Sequence, residues 1–347
     1  MVNEDEVRRL LASVLRIYSP SGGEGEVADL ILKYLKSHGV DAWLDKAGNV
    51  ISIRGNGDRV LWLHAHMDTV PGFIEVREDG GLVYGRGAVD DKGPLVSMVT
   101  AFLNSNPGIT LVLTLVTREE GDSLGSLTLV NSDLPKPTGI VVGEPTNMHI
   151  AYSYRGSARV EVKCLGHGGH TAGPGVEDNP ILKVYGALNG IINRLGSGQS
   201  SQSYTVTPTM VHCGDHPGKV PTECSMVINV RIPLNSTCVE LERMLGGMEC
   251  VRVVDCTDPV SVSVNNPVIR ALVRASLRNG IKPTLSRKLG TSDMAVLAKL
   301  TLNMAAYGPG DPTLSHGPVE YININDVALA SRILINAIEE FKLIESR

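Results

Sequence analysis

The chain has 347 residues, 42% of them hydrophobic, with a formal net charge of −5 from 32 Lys and Arg against 37 Asp and Glu. That length supports two domains, each with its own core, and the acidic balance argues against nucleic acid or an anionic membrane as the main partner. No apolar run approaches the ~20 residues of a membrane span, and the acidic residues 1–6 are unlike a signal peptide, so a cytoplasmic protein is expected.

From the start, Val7, Leu10, Leu11, Val14 and Leu15 recur at helical spacing, and Ser19-Pro20-Ser21-Gly22-Gly23 ends that helix. A second helix carries Val27, Leu30, Ile31, Tyr34 and Leu35 on one face and stops at Gly39. Apolar strand runs follow at 49–53, 60–63, 109–117 and 139–142, with helices over 94–103 and 123–130. This alternation, with nearly continuous apolar strands, predicts an α/β domain on a mostly parallel sheet. After Tyr154 the pattern changes. Residues 157–165, 204–213 and 224–232 alternate apolar and polar side chains, as half-exposed antiparallel strands do, around helices at 180–195 and 238–245. The α/β pattern returns with a strand at 303–307 and a closing helix over 326–344. The expected organisation is an α/β domain of residues 1–154 and 264–347 that carries the chemistry, with a smaller α+β domain of residues 155–263 inserted in it.

The cysteines, Cys164, Cys213, Cys224, Cys238, Cys250 and Cys256, form no C-x-x-C motif. They read as reduced thiols, pairing being expected only for a hyperthermophilic source. Any metal is then held by His, Asp and Glu. These types fall where the strands end, which is where open α/β sheets collect ligands. Residues 60–63 run into His64-Ala65-His66-Met67-Asp68, residues 109–117 into Glu119-Glu120-Gly121, and residues 139–142 into Gly143-Glu144. The strand at 303–307 leads through a glycine–proline loop to Ser315-His316-Gly317, and Asp90-Asp91 precedes a helix. Imidazoles and carboxylates without cysteine suit zinc or a similar divalent ion. The i, i+2 spacing of His66 and Asp68 lets Asp68 orient the imidazole. Glu119 and Glu120 can divide between base and ligand, and His64 is expected to pack or hydrogen-bond rather than ligate.

The strings HAHMDTVPG, YGRGAVDDKG, VTREEG, VVGEPT, GHGGHTA, LGTSDM and SHGPVEYI, in this order, resemble the zinc aminoacylase/carboxypeptidase family that includes acetylornithine deacetylase and succinyl-diaminopimelate desuccinylase. The resemblance implies one metal on His66 and Glu144, another on Glu120 and His316, and Asp90 bridging them, with a cis peptide after Asp90. Glu119 would be the general base and Asp68 would support His66. The inserted domain would act as a lid and form a homodimer, with His170 reaching the partner's site to stabilise an oxyanion. Zinc is the expected metal, with cobalt also suited to these ligands. The reaction would be hydrolysis of an acyl–amino acid amide by a metal-activated water. A relative that had become an inactive dimeric scaffold should have lost a ligand or Glu119, and none is lost here.

More narrowly, YRGS, NNPVIRALVRASLRNGIKP, RKLGTSDM and AAYGPGDP resemble the members of this family that release lysine or ornithine from the terminal glutamate of an acidic amino-group carrier protein, the last step of carrier-linked lysine or arginine biosynthesis. Acetylornithine deacetylase, succinyl-diaminopimelate desuccinylase and small-peptide carboxypeptidase share the same metal ligands and are the alternatives. Arg155 and Arg231 are candidates to grip the α-carboxylate, and Gly290, Thr291 and Ser292 to contact substrate. Arg270, Arg274 and Arg278, four apart on one helical face, could steer an acidic carrier. Relatives carry Asn-Val-x-Pro where this chain reads His216-Pro217-Gly218-Lys219-Val220-Pro221, which leaves substrate contacts there open.

Overall fold

The computed structural model describes residues 2–173 and 178–344. In chain order it contains α1 (Glu4–Leu15), α2 (Gly25–Ser37), β1 (Ala42–Leu44), β2 (Val50–Arg54), β3 (Val60–His66), β4 (Arg77–Asp79), β5 (Leu82–Tyr84), α3 (Lys92–Asn104), β6 (Thr110–Val116), α4 (Leu124–Val130), β7 (Gly139–Val142) and β8 (Ile150–Tyr154). Next come β9 (Gly156–Leu165), β10 (Gly169–His170), α5 (Pro180–Leu195), β11 (Thr205–Cys213), β12 (Lys219–Val220), β13 (Glu223–Ile232), α6 (Cys238–Leu245), β14 (Val251–Thr257) and β15 (Val260–Ser261). The last stretch holds α7 (Pro267–Arg278), β16 (Leu285–Lys288), α8 (Met294–Leu297), β17 (Met304–Ala306), β18 (Tyr321–Asn323) and α9 (Ile324–Leu343).

The chain divides into two compact units. The larger comprises residues 1–152, 262–286 and 292–347, and the smaller residues 153–261 and 287–291. Residues 287–291, read from the sequence with the larger domain, belong to the smaller unit, where Arg155 donates from Nε to the Leu289 carbonyl at 2.8 Å.

In the larger unit the sheet order β1-β2-β6-β3-β7-β17-β8 has a parallel centre, with β3 parallel to both β6 and β7 and β17 parallel to β7. β2 and β8 run antiparallel at its flanks. The central strands are buried along their whole length, which explains their unbroken apolar sequence. Helix α3 is buried over nearly all its surface and packs against β3, β6, α1 and α9. Helix α7 starts at Asn266, whose Oδ1 accepts from the amides of Val268 and Ile269. It packs on α9, and there Arg274 pairs with Glu340 at 3.6 Å, while Arg278 pairs with Glu339 and Glu340, both at 3.2 Å. Two arginines of the basic stripe thus tie α7 to α9 while their side chains stay half-exposed.

In the smaller unit a four-stranded antiparallel sheet, β11-β13-β9-β14, carries a core of Val160, Val162, Ile191, Ile228, Val230 and Leu241 with α5 and α6. All six cysteines lie here and are paired, Cys164 with Cys250, Cys213 with Cys224 and Cys238 with Cys256. This corrects the expectation of reduced thiols. Cys213 and Cys224 face each other directly across β11 and β13, a proximity set by strand register and invisible in the spacing.

Candidate metal centre

Strand β3 ends on His66, and its side chain is fixed from behind. The Nδ1 of His66 lies 2.9 Å from the Asp68 carbonyl oxygen and 3.4 Å from Asp68 Oδ1. Donation to the carbonyl sets the tautomer and turns Nε2 outward, 3.2 Å from Asp90 Oδ1 and 4.0 Å from Glu119 Oε2. The fully buried Asp68 carboxylate does more than orient the ring. Its Oδ1 accepts the Glu119 amide and its Oδ2 the Glu120 amide, each at 3.0 Å, and Ser21 Oγ donates to Oδ2 at 2.5 Å. The loop after β6 is therefore shaped by a carboxylate from the loop after β3. Glu24 assists from α2's entry, its Oε1 accepting from Gly22 N at 2.8 Å and Arg118 N at 3.0 Å. Arg118 occupies the left-handed region at φ 63°, a conformation that this bond helps hold.

Asp90 lies between the two imidazoles. Its Oδ1 faces His66 at 3.2 Å, and its Oδ2 faces His316 Nε2 at 3.4 Å. His316 also lies 2.6 Å from Glu120 Oε1. The Asp90–Asp91 peptide is cis. Asp91 is buried and turns back toward the sheet, its Oδ2 accepting the His66 amide at 3.2 Å. Potential donor atoms of His66, Asp90 and Asp91, of His66, Glu119 and Glu120, and of Asp90, Glu120 and His316 form three overlapping groups, each within 4.8 Å.

The electrostatics favour cations here. Burial pushes the Glu119 carboxyl well up, and the nearby charges of Asp293, Glu144 and Glu120 push it further. Glu144 is raised in the same way, by burial and then by Asp90 and Asp91, which places it in the field of the same cluster. Burial opposes charge on His66, yet hydrogen bonds to Asp68 and Asp90 hold it well above the usual imidazole range. His316 is pushed up to about 10 by its bonds to Asp90 and Glu120. Carboxylates crowded at this density, with two imidazoles among them, are the donor set of a divalent-metal site. The residues present fit such a group.

His64 is buried, as expected, with Nδ1 2.9 Å from Thr114 Oγ1 and Nε2 3.1 Å from Asp293 Oδ2. Ser126 Oγ donates to the same Asp293 oxygen at 2.6 Å, so this imidazole anchors α8's entry to β3. Ser292, also buried, accepts the Met294 amide at its Oγ. The remaining expected site residues, His170, Arg155, Arg231, Gly290 and Thr291, belong to the smaller unit. His170 is exposed on β10 and its Nδ1 accepts the Ala172 amide, which leaves Nε2 as the outward group. Arg155 is buried and donates from Nη1 to Thr205 Oγ1 at 2.7 Å as well as from Nε to Leu289. Arg231 Nη1 donates to Thr291 Oγ1 at 2.8 Å, and Thr291 Oγ1 donates to the Arg155 carbonyl. The two arginines thus shape the segment that carries Gly290 and Thr291. In the departure from the family string, Lys219 pairs with Asp215 and His216 Nδ1 accepts the Gly218 amide.

Sequence reasoning assigned no role to Ser21, Glu24, Asp91, Asp293 or Glu320. Three of the five, Asp91, Asp293 and Glu320, fall inside strings that carried the family resemblance, but their task is to accept backbone amides or join buried networks, which no side-chain spacing signals.

The family model described as Peptidase family M20/M25/M40 matches residues 62–340. A protein of Pyrobaculum aerophilum that carries the name LysW-lysine/LysW-ornithine hydrolase provisionally is 50% identical over 342 residues, 99% of each chain. The LysW-lysine/LysW-ornithine hydrolase of Sulfurisphaera tokodaii is 32% identical, over 97% of this chain and 96% of that one. Among solved structures, the M20 family metallo-carboxypeptidase Sso-CP2 of Sulfolobus solfataricus superposes with a TM-score of 0.85 at 17% identity, covering 98% of this chain and 100% of that one. A dinuclear metal-binding M20 peptidase of Bacillus subtilis gives 0.69 at 15% identity, covering 98% and 99%. The chain therefore belongs to peptidase family M20/M25/M40 and is a hydrolase of amide or peptide bonds.

Proposed function

We propose that this hydrolase releases lysine, ornithine or both from a LysW-type amino-group carrier protein, in the cytoplasm, as the closing step of carrier-linked lysine or arginine biosynthesis. The observation that carries the reading is similarity to LysW-lysine/LysW-ornithine hydrolases along the whole chain, up to 50% identity, in a protein that keeps Glu119 and every expected metal donor.

His66 and Glu144 would hold one ion, Glu120 and His316 the other, and Asp90 both, its two oxygens already facing the two histidines. Zinc is the metal proposed, cobalt the substitute. Ions held there would supply Lewis acidity for the scissile carbonyl and for a water near neutral pH. Glu119 takes a proton from the attacking water and passes one to the departing nitrogen, so that the amide becomes a carboxylic acid and a free amine. His170 of the partner protomer, with its outward Nε2, is the proposed donor to the oxyanion. Homodimerisation through the smaller unit is supported by exposed apolar side chains on α5 and on the edge strand β11, among them Leu182 at 55%, Tyr185 at 63% and Val211 at 59% exposure. Gly290, Thr291 and Ser292 are proposed to contact the amino acid, with Arg231 beside them and Arg155 holding their segment.

The test is a substrate panel: carrier-linked lysine and ornithine against acetylornithine and succinyl-diaminopimelate, with the oligomer's mass measured by light scattering on the same sample. Release from the carrier alone, by a species of twice the chain mass, is expected. Hydrolysis of the small substrates alone would move the enzyme to another role, and a monomer in full activity would remove His170 from the reaction.

A further inference from the structure

Glu320 is 1% exposed, and among the described residues its carboxylate bonds to no side chain of the candidate metal cluster. All four of its side-chain bonds go to the loop that ends in Asp90. Oε1 accepts from Val89 N at 2.8 Å and Asp90 N at 2.9 Å, and Oε2 accepts from Gly87 N at 3.0 Å and Arg86 Nη1 at 3.1 Å. Its own carbonyl accepts the Gly85 amide at 3.1 Å. Gly87 takes φ +87°, and a Cβ there would meet Thr69 Cγ2 at 2.8 Å, so this path of the loop is open only to glycine. Four residues before Glu320 stands His316, and immediately after it β18 pairs with β5, Tyr321 opposite Tyr84. One short segment therefore delivers an imidazole to the cluster and grips the backbone that delivers the carboxylate opposite it.

Hydrogen bonds between a buried carboxylate and three amides plus a guanidinium are among the stronger ones a protein makes, and losing the anion leaves several buried donors unsatisfied. We propose that Glu320 is a positioning residue of the metal centre: by fixing Gly87–Asp90 it sets the Asp90 carboxylate so that one oxygen faces His66 and the other His316. The proposal rests on the reading of Asp90 as a shared ligand. It assigns Glu320 no contact with metal or substrate.

The test compares wild type with Glu320→Gln, which keeps the shape but places an amide NH2 against backbone N–H groups. In metal-free protein, hydrogen exchange of the 85–91 stretch should accelerate in the variant while that of β3 and β6 stays unchanged. Zinc affinity, read by competition with a chromogenic chelator and without substrate, should fall roughly 10- to 100-fold. At saturating zinc, KM for whichever substrate the panel identifies should stay within twofold while kcat falls. Should Glu320→Gln not fold, Arg86→Met, which removes one of the four bonds, should show the same changes at smaller size. A folded Glu320→Gln with wild-type zinc affinity and exchange overturns the proposal. A wild-type chain that takes up no zinc fails differently, since it overturns the metal reading on which the proposal rests.

Discussion

At the scale of single residues, the site is built from carboxylates with opposite tasks. Asp90, Glu119 and Glu120 approach the outward imidazole nitrogens, whereas Asp68, Asp91 and Glu24 accept main-chain amides. Burial opposes charge on Asp68, yet its bonds to His66, Ser21 and the Glu119 amide hold its carboxyl below the usual carboxylate range, whereas burial pushes Asp91, Glu119 and Glu144 up. Glu119 differs from Glu120 in a way that suits a base: Glu120 is bonded to His316 at 2.6 Å, while Glu119 has only the longer 4.0 Å approach to His66. Glu119→Gln is expected to bind metal like wild type and to lose about 10²- to 10⁴-fold in turnover. Metal analysis beside single-turnover kinetics checks this, and unaltered turnover would remove Glu119 from proton transfer. Much of this cluster was legible in sequence because every expected ligand except Asp90, which precedes a helix, closes or follows an apolar strand. Glu320 and Glu24 were not assigned, because a carboxylate that accepts amides leaves no trace in side-chain spacing.

At the scale of elements, legibility followed burial. The helices at Pro180–Leu195 and Cys238–Leu245 start and stop where the sequence places them, because Asn179 and Thr237 cap them and Gly196 and Gly246 end them. Short pieces such as β4, β10 and β12 escaped, since two or three residues cannot show a period. The ion pairs of the α7 arginines were hidden because Glu339 and Glu340 are some sixty residues away in sequence and adjacent only in the fold. The cysteine pairs were hidden for the same reason, and they carry a stability prediction. Sequence separations of 86, 11 and 18 residues correspond to about 5, 3 and 3 kcal/mol of lost chain entropy in the unfolded state. Reduction is therefore expected to lower the melting temperature of the smaller unit by tens of degrees while leaving zinc affinity within twofold, because no expected metal ligand lies there. Differential scanning calorimetry with and without reductant, beside zinc titration, checks it; an unchanged melting profile would show that the pairs contribute nothing in solution.

At the scale of the whole molecule, a parallel sheet gathers residues that are up to 250 positions apart, from His66 to His316, onto one set of strand ends and loops. The fold is shared with solved structures at 15–17% identity, so the architecture tolerates wide change in sequence. The central claim is that the cluster is a two-ion site. Its most direct test is calorimetric titration of zinc into chelator-stripped protein at several pH values. The sign follows from the metal-free site: His316 holds its proton up to about 10, and Glu119 and Glu144 are held up by burial. Metal must displace those protons, so binding should release protons at pH 7, and affinity should rise with pH toward 10 and fall as acid is added. The account predicts two zinc ions per chain with that proton release; a protein that binds none, or binds zinc with no pH dependence across this range, would contradict it.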